Sequence, residues 1–300
     1  MAFLTIFTAP KPFTNPHINI IQRNALGAWT RLADVEVILI GDEAGISEAA
    51  AEFGVRHVPK VARDANGVPL VSAVMEIGHK YSDSPLLCYA NGDMILMSDA
   101  VQAARNVWKQ VKDFLLIGQR WNLDLTEPFD FSGDWEARLR AEVRKRGQFY
   151  TPWGIDYFIF PRHLYTEVPD FTIGRPAWDN WMVYHGRTKI GLVIDASPDV
   201  MAVHQNHDYS HLPGNKPPYG SEAAKANLAK AGGRRCIYNV LDANRELWDG
   251  RIRRPRFRLV RLLRCLERIF VNDKGQGWAW EISLRLRRLQ LPLETIPPRR

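Results

Sequence analysis

Short runs dominated by apolar and β-branched residues recur at 3–7, 35–40 and 85–89, and each is followed by a polar stretch and then by a segment with helical periodicity. Runs of that kind, with no alternate polar face, must be covered on both sides, which a parallel sheet flanked by helices achieves and a half-solvated antiparallel sheet does not. The intervening segments agree. Asn15 and Pro16 form an N-cap and first helical position ahead of Ile18, Ile21, Ala25 and Trp29, about four turns of helix. An alanine-rich helix over 47–53 stops at Gly54, a third strand lies near 55–61, and a helix covers 71–79. Residues 1–100 are therefore expected to form a parallel α/β unit. Beyond them the pattern predicts helices over 100–111 and 134–146, a buried strand at 114–118, an aromatic strand-like stretch at 153–160 and a strand at 200–203. Residues 176–219 are too rich in Trp, Tyr, His, Asp, Gly and Pro to be only core.

Composition narrows the function classes. Hydrophobic residues at 46% and charged residues at 24% describe a packed globular chain of 300 residues, too large to need disulfides or structural metal for stability. No apolar run approaches the roughly 18 residues of a spanning helix, and the first ten residues lack a basic n-region and cleavage site, so neither a membrane span nor a secretory leader is expected. Three scattered cysteines, Cys88, Cys236 and Cys265, fit neither a disulfide framework nor a paired zinc motif, which points to a reducing, cytoplasmic setting. Residues 251–300 hold thirteen arginines and one lysine against four acids, a net charge of +10, leaving −3 on residues 1–250 of the total +7. A main domain without excess positive charge is not a nucleic-acid binder, and the basic tail implies an acidic partner of its own.

Ligands of an open parallel sheet bind beyond the carboxyl ends of its strands. The polar residues in those places are the loop Thr8, Ala9, Pro10 and Lys11, then Asp42 and Glu43, then Arg63, then Asn91-Gly92-Asp93. No GxGxxG opens the first helix and no GxxxxGK[ST] occurs, so a diphosphate would have to be held by other means, such as a divalent cation on Asp93. A late strand delivers His204, with His207 and His211 close behind, in a chain of eight histidines.

This order of elements and motifs resembles the nucleotide-sugar glycosyltransferases of the GT-A fold, over residues 1–215. The resemblance implies an open mixed sheet related to the Rossmann arrangement, with a nucleotide-binding half over 1–100 and an acceptor-binding half over 101–215. Residues 216–300 would be a basic, partly amphipathic helical extension. Asn91-Gly92-Asp93 is similar to the family's DxD motif, with Asp93 in the metal-binding position and Asn91 facing the ribose. Asp42 and the loop Thr8, Ala9, Pro10 fall where the family meets the nucleotide, Arg63 joins them as a nucleotide-binding candidate by its place after the third strand, and His204, or His207 beside it, falls where a histidine completes the metal site. Mn²⁺ or Mg²⁺ is the implied cofactor, and a saccharide or lipid-linked molecule the implied acceptor. Asp179 falls where the family places its catalytic base, although an aspartate there also suits a helix cap. Asp156, breaking an aromatic run, is its rival. Trp153, Trp178 and Trp181 are candidate sugar platforms or core residues.

Three alternatives stand beside this one. A nucleotidyltransferase of related architecture would carry a glycine-rich, arginine-containing first loop, absent here. A zinc hydrolase would use His204, His207, His211 and Asp208, and a non-enzymatic binding module would be indifferent to Asp93. In the tail, Leu259, Leu262, Leu263, Leu266, Ile269 and Phe270 form one helical face and Arg254, Arg258, Arg261, Arg264 and Arg268 the other. Such a helix either docks on an anionic membrane surface or packs on the main domain with its arginines in water. Residues 278–291 fit a strand and a helix equally.

Overall fold

The computed structural model describes residues 1–207 and 220–297. Strand β1 (Leu4–Thr8), wholly buried, runs parallel to β2 (Val35–Ile40) on one side and to β4 (Leu86–Ala90) on the other. Helix α1 (Pro16–Trp29) starts where the Asn15 side chain accepts from the backbone N–H groups of His17 and Ile18. Helix α2 (Ile46–Phe53) ends at Gly54, whose φ of 61° is the left-handed C-cap that glycine adopts without strain. Strand β3 (Arg56–Val58) is shorter than the 55–61 expected, because Pro59 has no N–H to continue the ladder. Helix α3 (Val71–Tyr81) leads back to β4.

After β4 the chain leaves the main sheet. Strand β5 (Met94–Ile95) belongs to a second, four-stranded sheet, followed by α4 (Ser98–Gln110), β6 (Leu115–Ile117), β7 (Arg120–Leu123), α5 (Trp135–Arg146), β8 (Gln148–Phe149) and β9 (Tyr157–Pro161). Helix α6 (Trp178–His185), β10 (Val193–Asp195), β11 (Ala202–Gln205) and α7 (Glu222–Lys230) come next. The chain ends in β12 (Arg245–Trp248), β13 (Arg251–Arg253), α8 (Leu259–Phe270) and α9 (Trp278–Glu294). The nine-stranded sheet has the order β13-β12-β10-β6-β9-β4-β1-β2-β3, with β9 antiparallel to both its neighbours and β13 antiparallel to β12. The small sheet is β5-β11-β7-β8. Alternate residues of β1 and β4 face opposite layers: Ile6 and Cys88 pack into one core with α1 and α4, Phe7 and Tyr89 into the other with α3 and α6. The chain thus forms the open mixed α/β sheet flanked by helices that its sequence implies.

The tail is more than a helical extension. Strands β12 and β13 extend the main sheet, joined by Asp249-Gly250, whose φ values of 48° and 71° belong to a two-residue hairpin turn with both central residues left-handed. The ambiguous 278–291 stretch is helical, within α9. Helix α8 packs with its arginines inward. Arg261 donates to Asp195 Oδ2 at 2.9 Å and Glu246 Oε1 at 2.8 Å, and also to the carbonyls of Leu241 and Ala243. Arg264 bonds Asp242 Oδ2 and Glu267 Oε2, and Gln290 of α9 reaches the same Glu267. Leu259, Leu262, Leu266 and Ile269 face outward instead. The expectation of leucines inside and arginines in water is reversed, because acids fixed by β10, β12 and the turn after Asn239 form a buried anionic floor that only cations can satisfy.

Arg261→Met would leave Asp195 and Glu246 buried without their cation, at a cost of about 3–5 kcal/mol. Burial already raises the Asp195 carboxyl against the pull of Arg261, and without the guanidinium it holds its proton to still higher pH than in the unfolded chain. The deficit should therefore be smaller at pH 5 than at pH 8 in urea denaturation.

Candidate active site

At the carboxyl ends of β1 and β4 lies a cavity of about 530 Å³ lined by the loop Ala9–Pro12, Gln22, Glu43, residues 67–69, Tyr89, Asn91, Gly92, Asp93, Arg120, Asp156, residues 173–175, His204 and His207. Asp93 sits at the step between the two sheets. Its carbonyl accepts from the backbone N–H of Gln205 at 3.1 Å and from the Gln205 side chain at 3.2 Å. Gln205 is wholly buried, also donates to the Ile21 carbonyl of α1, and accepts from Asn24. His204, in β11, pairs in register with Met94 of β5, so the antiparallel ladder sets this imidazole beside the preceding aspartate.

Asp93 Oδ2 stands 3.1 Å from His207 Nε2, 3.8 Å from His204 Nε2 and 3.9 Å from Lys11 Nζ, and Lys11 Nζ is 3.2 Å from His207 Nε2. The donor atoms of Asp93, His204 and His207 lie within 4.8 Å of one another. Burial works against a charge on Asp93, but His204, the His207 hydrogen bond and the Lys11 ammonium hold it well below the usual carboxylate range. Burial first, then the Arg120 charge, push His204 down to about 4, against the pull of Asp93, so its imidazole is neutral near pH 7. Burial also lowers Lys11, which Asp93 and Asp156 partly restore. Asp93 Oδ1 and His204 Nδ1 are buried without hydrogen-bond partners among the described residues.

Asn91 accepts from the Tyr89 hydroxyl at 3.2 Å and donates to Asp156 Oδ1 at 2.7 Å, while Asp156 Oδ2 is held by Arg120. Both oxygens of Asp156 are therefore engaged in orienting Asn91 and Arg120. The first loop is pinned by a reciprocal pair, Lys11 N–H to Gln22 Oε1 and Gln22 Nε2 to the Lys11 carbonyl. A Cβ on Gly92 would stand 3.1 Å from Gln22 Oε1, so the turn lies close against this clamp.

The other residues expected in the site spread more widely. Ala9 and Pro10 line the cavity; Thr8 is buried just before them in β1 and does not. Arg63 is outside the lining and pairs with Asp42, which is exposed, and with Glu43, which lines the wall. Trp178 packs on Tyr89 and Phe158, and Trp181 on Phe171 and His185, both in the core rather than open to a sugar. Trp153 lines a second cavity of about 400 Å³ against the C-terminal hairpin, between Arg264 and Arg287. The segment 174–177 borders both cavities, Gly174 and Arg175 the first, Pro176 and Ala177 the second. His211 and Asp208 lie outside the described residues. Gln22 and Arg120 are site residues that the sequence reasoning missed, and Arg120 was findable, since it follows the buried run at 114–118.

Asp179 is in the first turn of α6, whose N-cap is Ala177 with a left-handed φ of 91°. It does not line the first cavity. Burial, and secondarily the charge on Asp156, push it up to about 7 against the N–H groups of the helix start. Its Oδ1 is buried without a hydrogen-bond partner among the described residues.

No family model matches the sequence, and no curated protein matches it. Among solved structures, glucosyl-3-phosphoglycerate synthase of Mycobacterium tuberculosis aligns at 15% identity with a TM-score of 0.47, over 77% of this chain and 81% of that one. The same enzyme in complex with Mn²⁺, uridine diphosphate and phosphoglyceric acid aligns at 14% identity and a TM-score of 0.46, over 77% and 78% of the two chains. At such identity and superposition the likeness says nothing of the residues in this cavity, whose roles rest on their own geometry.

Between about pH 4 and 7 the unfolded chain gives up the Asp179 proton and the folded chain keeps it, so this group lowers stability as pH rises. Asp179→Asn should match wild type near pH 4 and exceed it by roughly 2–4 kcal/mol above pH 7 in urea denaturation. A difference independent of pH would refute a buried, proton-holding carboxyl.

Proposed function

We propose that the chain is a metal-assisted glycosyltransferase that moves a hexosyl group from a nucleoside-diphosphate sugar to an acceptor hydroxyl. The observation that carries this reading is the convergence of Asp93, His204 and His207 at the carboxyl end of β4, with Lys11, Arg120 and Arg175 on the same cavity. One carboxylate, two imidazoles and a ring of cations suit a diphosphate held through a divalent ion. The residues fit such an ion: Asp93 Oδ1 is buried with no partner among the described residues, and His204 keeps a neutral imidazole. Asp93, His204 and His207 would hold Mn²⁺ or Mg²⁺, which supplies neutralising charge for the diphosphate as it leaves.

The remaining roles belong to this chain's own side chains. Lys11 and Arg120 place positive charge beside the diphosphate. Asn91, held by Asp156 and Tyr89, offers its amide to a ribose hydroxyl, and Ala9, Pro10 and Glu43 form the wall for the nucleoside, with Asp42 and Arg63 at its rim. Transfer requires the acceptor oxygen to attack the anomeric carbon as the bond from that carbon to the phosphate oxygen breaks, the electron pair leaving with the diphosphate. The acceptor proton goes to a carboxylate; Asp179 is the candidate by its place directly after the 174–177 segment that borders both cavities, and because it lines neither cavity it reaches an acceptor only when that segment moves aside. Asp156, with both oxygens bonded, is assigned as a positioning residue. The second cavity sets Trp153, Leu228 and Trp280 beside Arg234 and Arg287, which suits an acceptor combining an apolar body with an anionic group. This supports a saccharide or lipid-linked acceptor of glycolipid or polysaccharide assembly.

Thermal shifts with UDP, GDP, CDP and dTDP, each with and without Mn²⁺, test the donor site. One nucleotide at about 100 times its Kd should add roughly 2.7 kcal/mol, a rise of several degrees, only when metal is present and not in Asp93→Asn. No shift by any of them under either metal condition would overturn the reading. With the donor known, Asp179→Asn should lower kcat by about 10²–10⁴ and remove a limb that rises with pH through about 7.

A further inference from the structure

Helix α8 is turned inside out relative to an ordinary surface helix. Its charged residues Arg261, Arg264, Glu267 and Arg268 are all engaged on the protein side, with Asp195, Glu246, Asp242, Gln290 and Tyr238. The outward stripe consists of Leu259, Leu262, Leu266 and Ile269, the last 71% exposed, with Phe257 just before the helix at 83%. Trp278 and Leu289 of the adjoining α9 are exposed as well. Among the described residues, every exposed large apolar side chain except Met1 and Tyr81 lies between 257 and 296. A concentration of that kind on one hairpin marks an interaction surface.

The charge around the stripe identifies what covers it. Arg251, Arg253, Arg254 and Arg256 are exposed in the strand and linker that run directly into Phe257, and Arg285 and Arg288 are exposed on α9. Of the acids between 251 and 297, Glu267 and Glu294 are buried, which leaves Asp273 and Glu281 exposed. A second copy of the chain bound through the same patch would bring these arginines against their own counterparts. An anionic headgroup layer meets them with opposite charge, and the acyl boundary beneath it accepts the leucines. No helix among the described residues is long and apolar enough to cross a membrane, so the hairpin would lie on the surface.

We infer that the outward face of α8, with Phe257 and Trp278 beside it, docks the protein in the plane of an anionic lipid bilayer, the arginines of residues 251–256 contacting the headgroups. The leucine face enters the lipid, whereas the arginines within α8 serve the fold. The inference stands on this surface alone and is independent of the transferase reading, so vesicle binding and nucleotide binding can fail separately.

The full chain should co-float with phosphatidylcholine vesicles containing 30% phosphatidylglycerol at least about tenfold more strongly than with phosphatidylcholine alone, and less so in high salt. Leu262→Ser/Ile269→Ser should reduce that binding by about tenfold or more at an unchanged melting temperature. Arg253→Gln/Arg254→Gln should reduce it by more than about tenfold, since each arginine near the surface is worth roughly a factor of five. Equal binding to neutral and anionic vesicles, or undiminished binding by the Leu262/Ile269 variant, would overturn the inference. So would absent binding to the anionic vesicles, and a dimer that this variant dissolves would then identify a second copy as the partner.

Discussion

The site depends on the hydrogen-bond clamp between Gln205 and Asp93. Where β4 ends, its chain must cross from the large sheet to the small one, and the carbonyl of Asp93 is held there by both the backbone and the side chain of Gln205. The same buried amide ties the crossing to α1 through Ile21 and Asn24. A satisfied buried polar network of this kind has one low-energy arrangement, because any displacement leaves amide groups unpaired in a dry interior. The β5–β11 ladder then brings His204 beside Asp93 and carries His207 to the same carboxylate. Pairing of strands far apart in the chain thus gathers three donor atoms, and burial lowers the imidazole of His204 among them.

Buried charge also shapes the other end of the molecule. Sheet closure by β12 and β13 leaves Glu246 next to Asp195 with no water to solvate either, and Arg261 compensates both at once. Arg264 performs the same service for Asp242 and Glu267. Turning these arginines inward forces the leucines of α8 outward, since one helix cannot bury both faces against one floor. The exposed apolar stripe is therefore a consequence of how the sheet is completed.

Much of this was readable from residues alone. The rhythm of buried runs located β1, β2 and β4, Asn15 and Pro16 marked the start of α1, and the position of Asp93 after a buried strand singled it out, as the late strand did His204. The Asp249-Gly250 pair is a hairpin signal too, set in a tail dominated by arginine. Other features have no local signature. Periodicity shows that α8 has two faces but not which one is inside, because that is decided by Asp195, Glu246 and Asp242, 66, 15 and 22 residues from their arginine partners. Trp178 and Trp181 looked like sugar platforms as readily as core until α6 was placed against Tyr89 and Phe171. Gln22 enters the cavity from α1 through its reciprocal bonds with Lys11, which one-dimensional spacing does not record.

The central claim is that Asp93, His204 and His207 hold a divalent cation together with a nucleoside diphosphate. Titrating Mn²⁺ into the full chain while following the electron paramagnetic resonance signal of the free ion, with and without the nucleotide, tests it most directly. The account predicts one ion bound per chain, more tightly with nucleotide present, and binding weakened by about 10–100-fold or more in His204→Ala and in Asp93→Asn. A wild-type chain that leaves the free Mn²⁺ signal undiminished with nucleotide present, or variants that bind as wild type does, would contradict it.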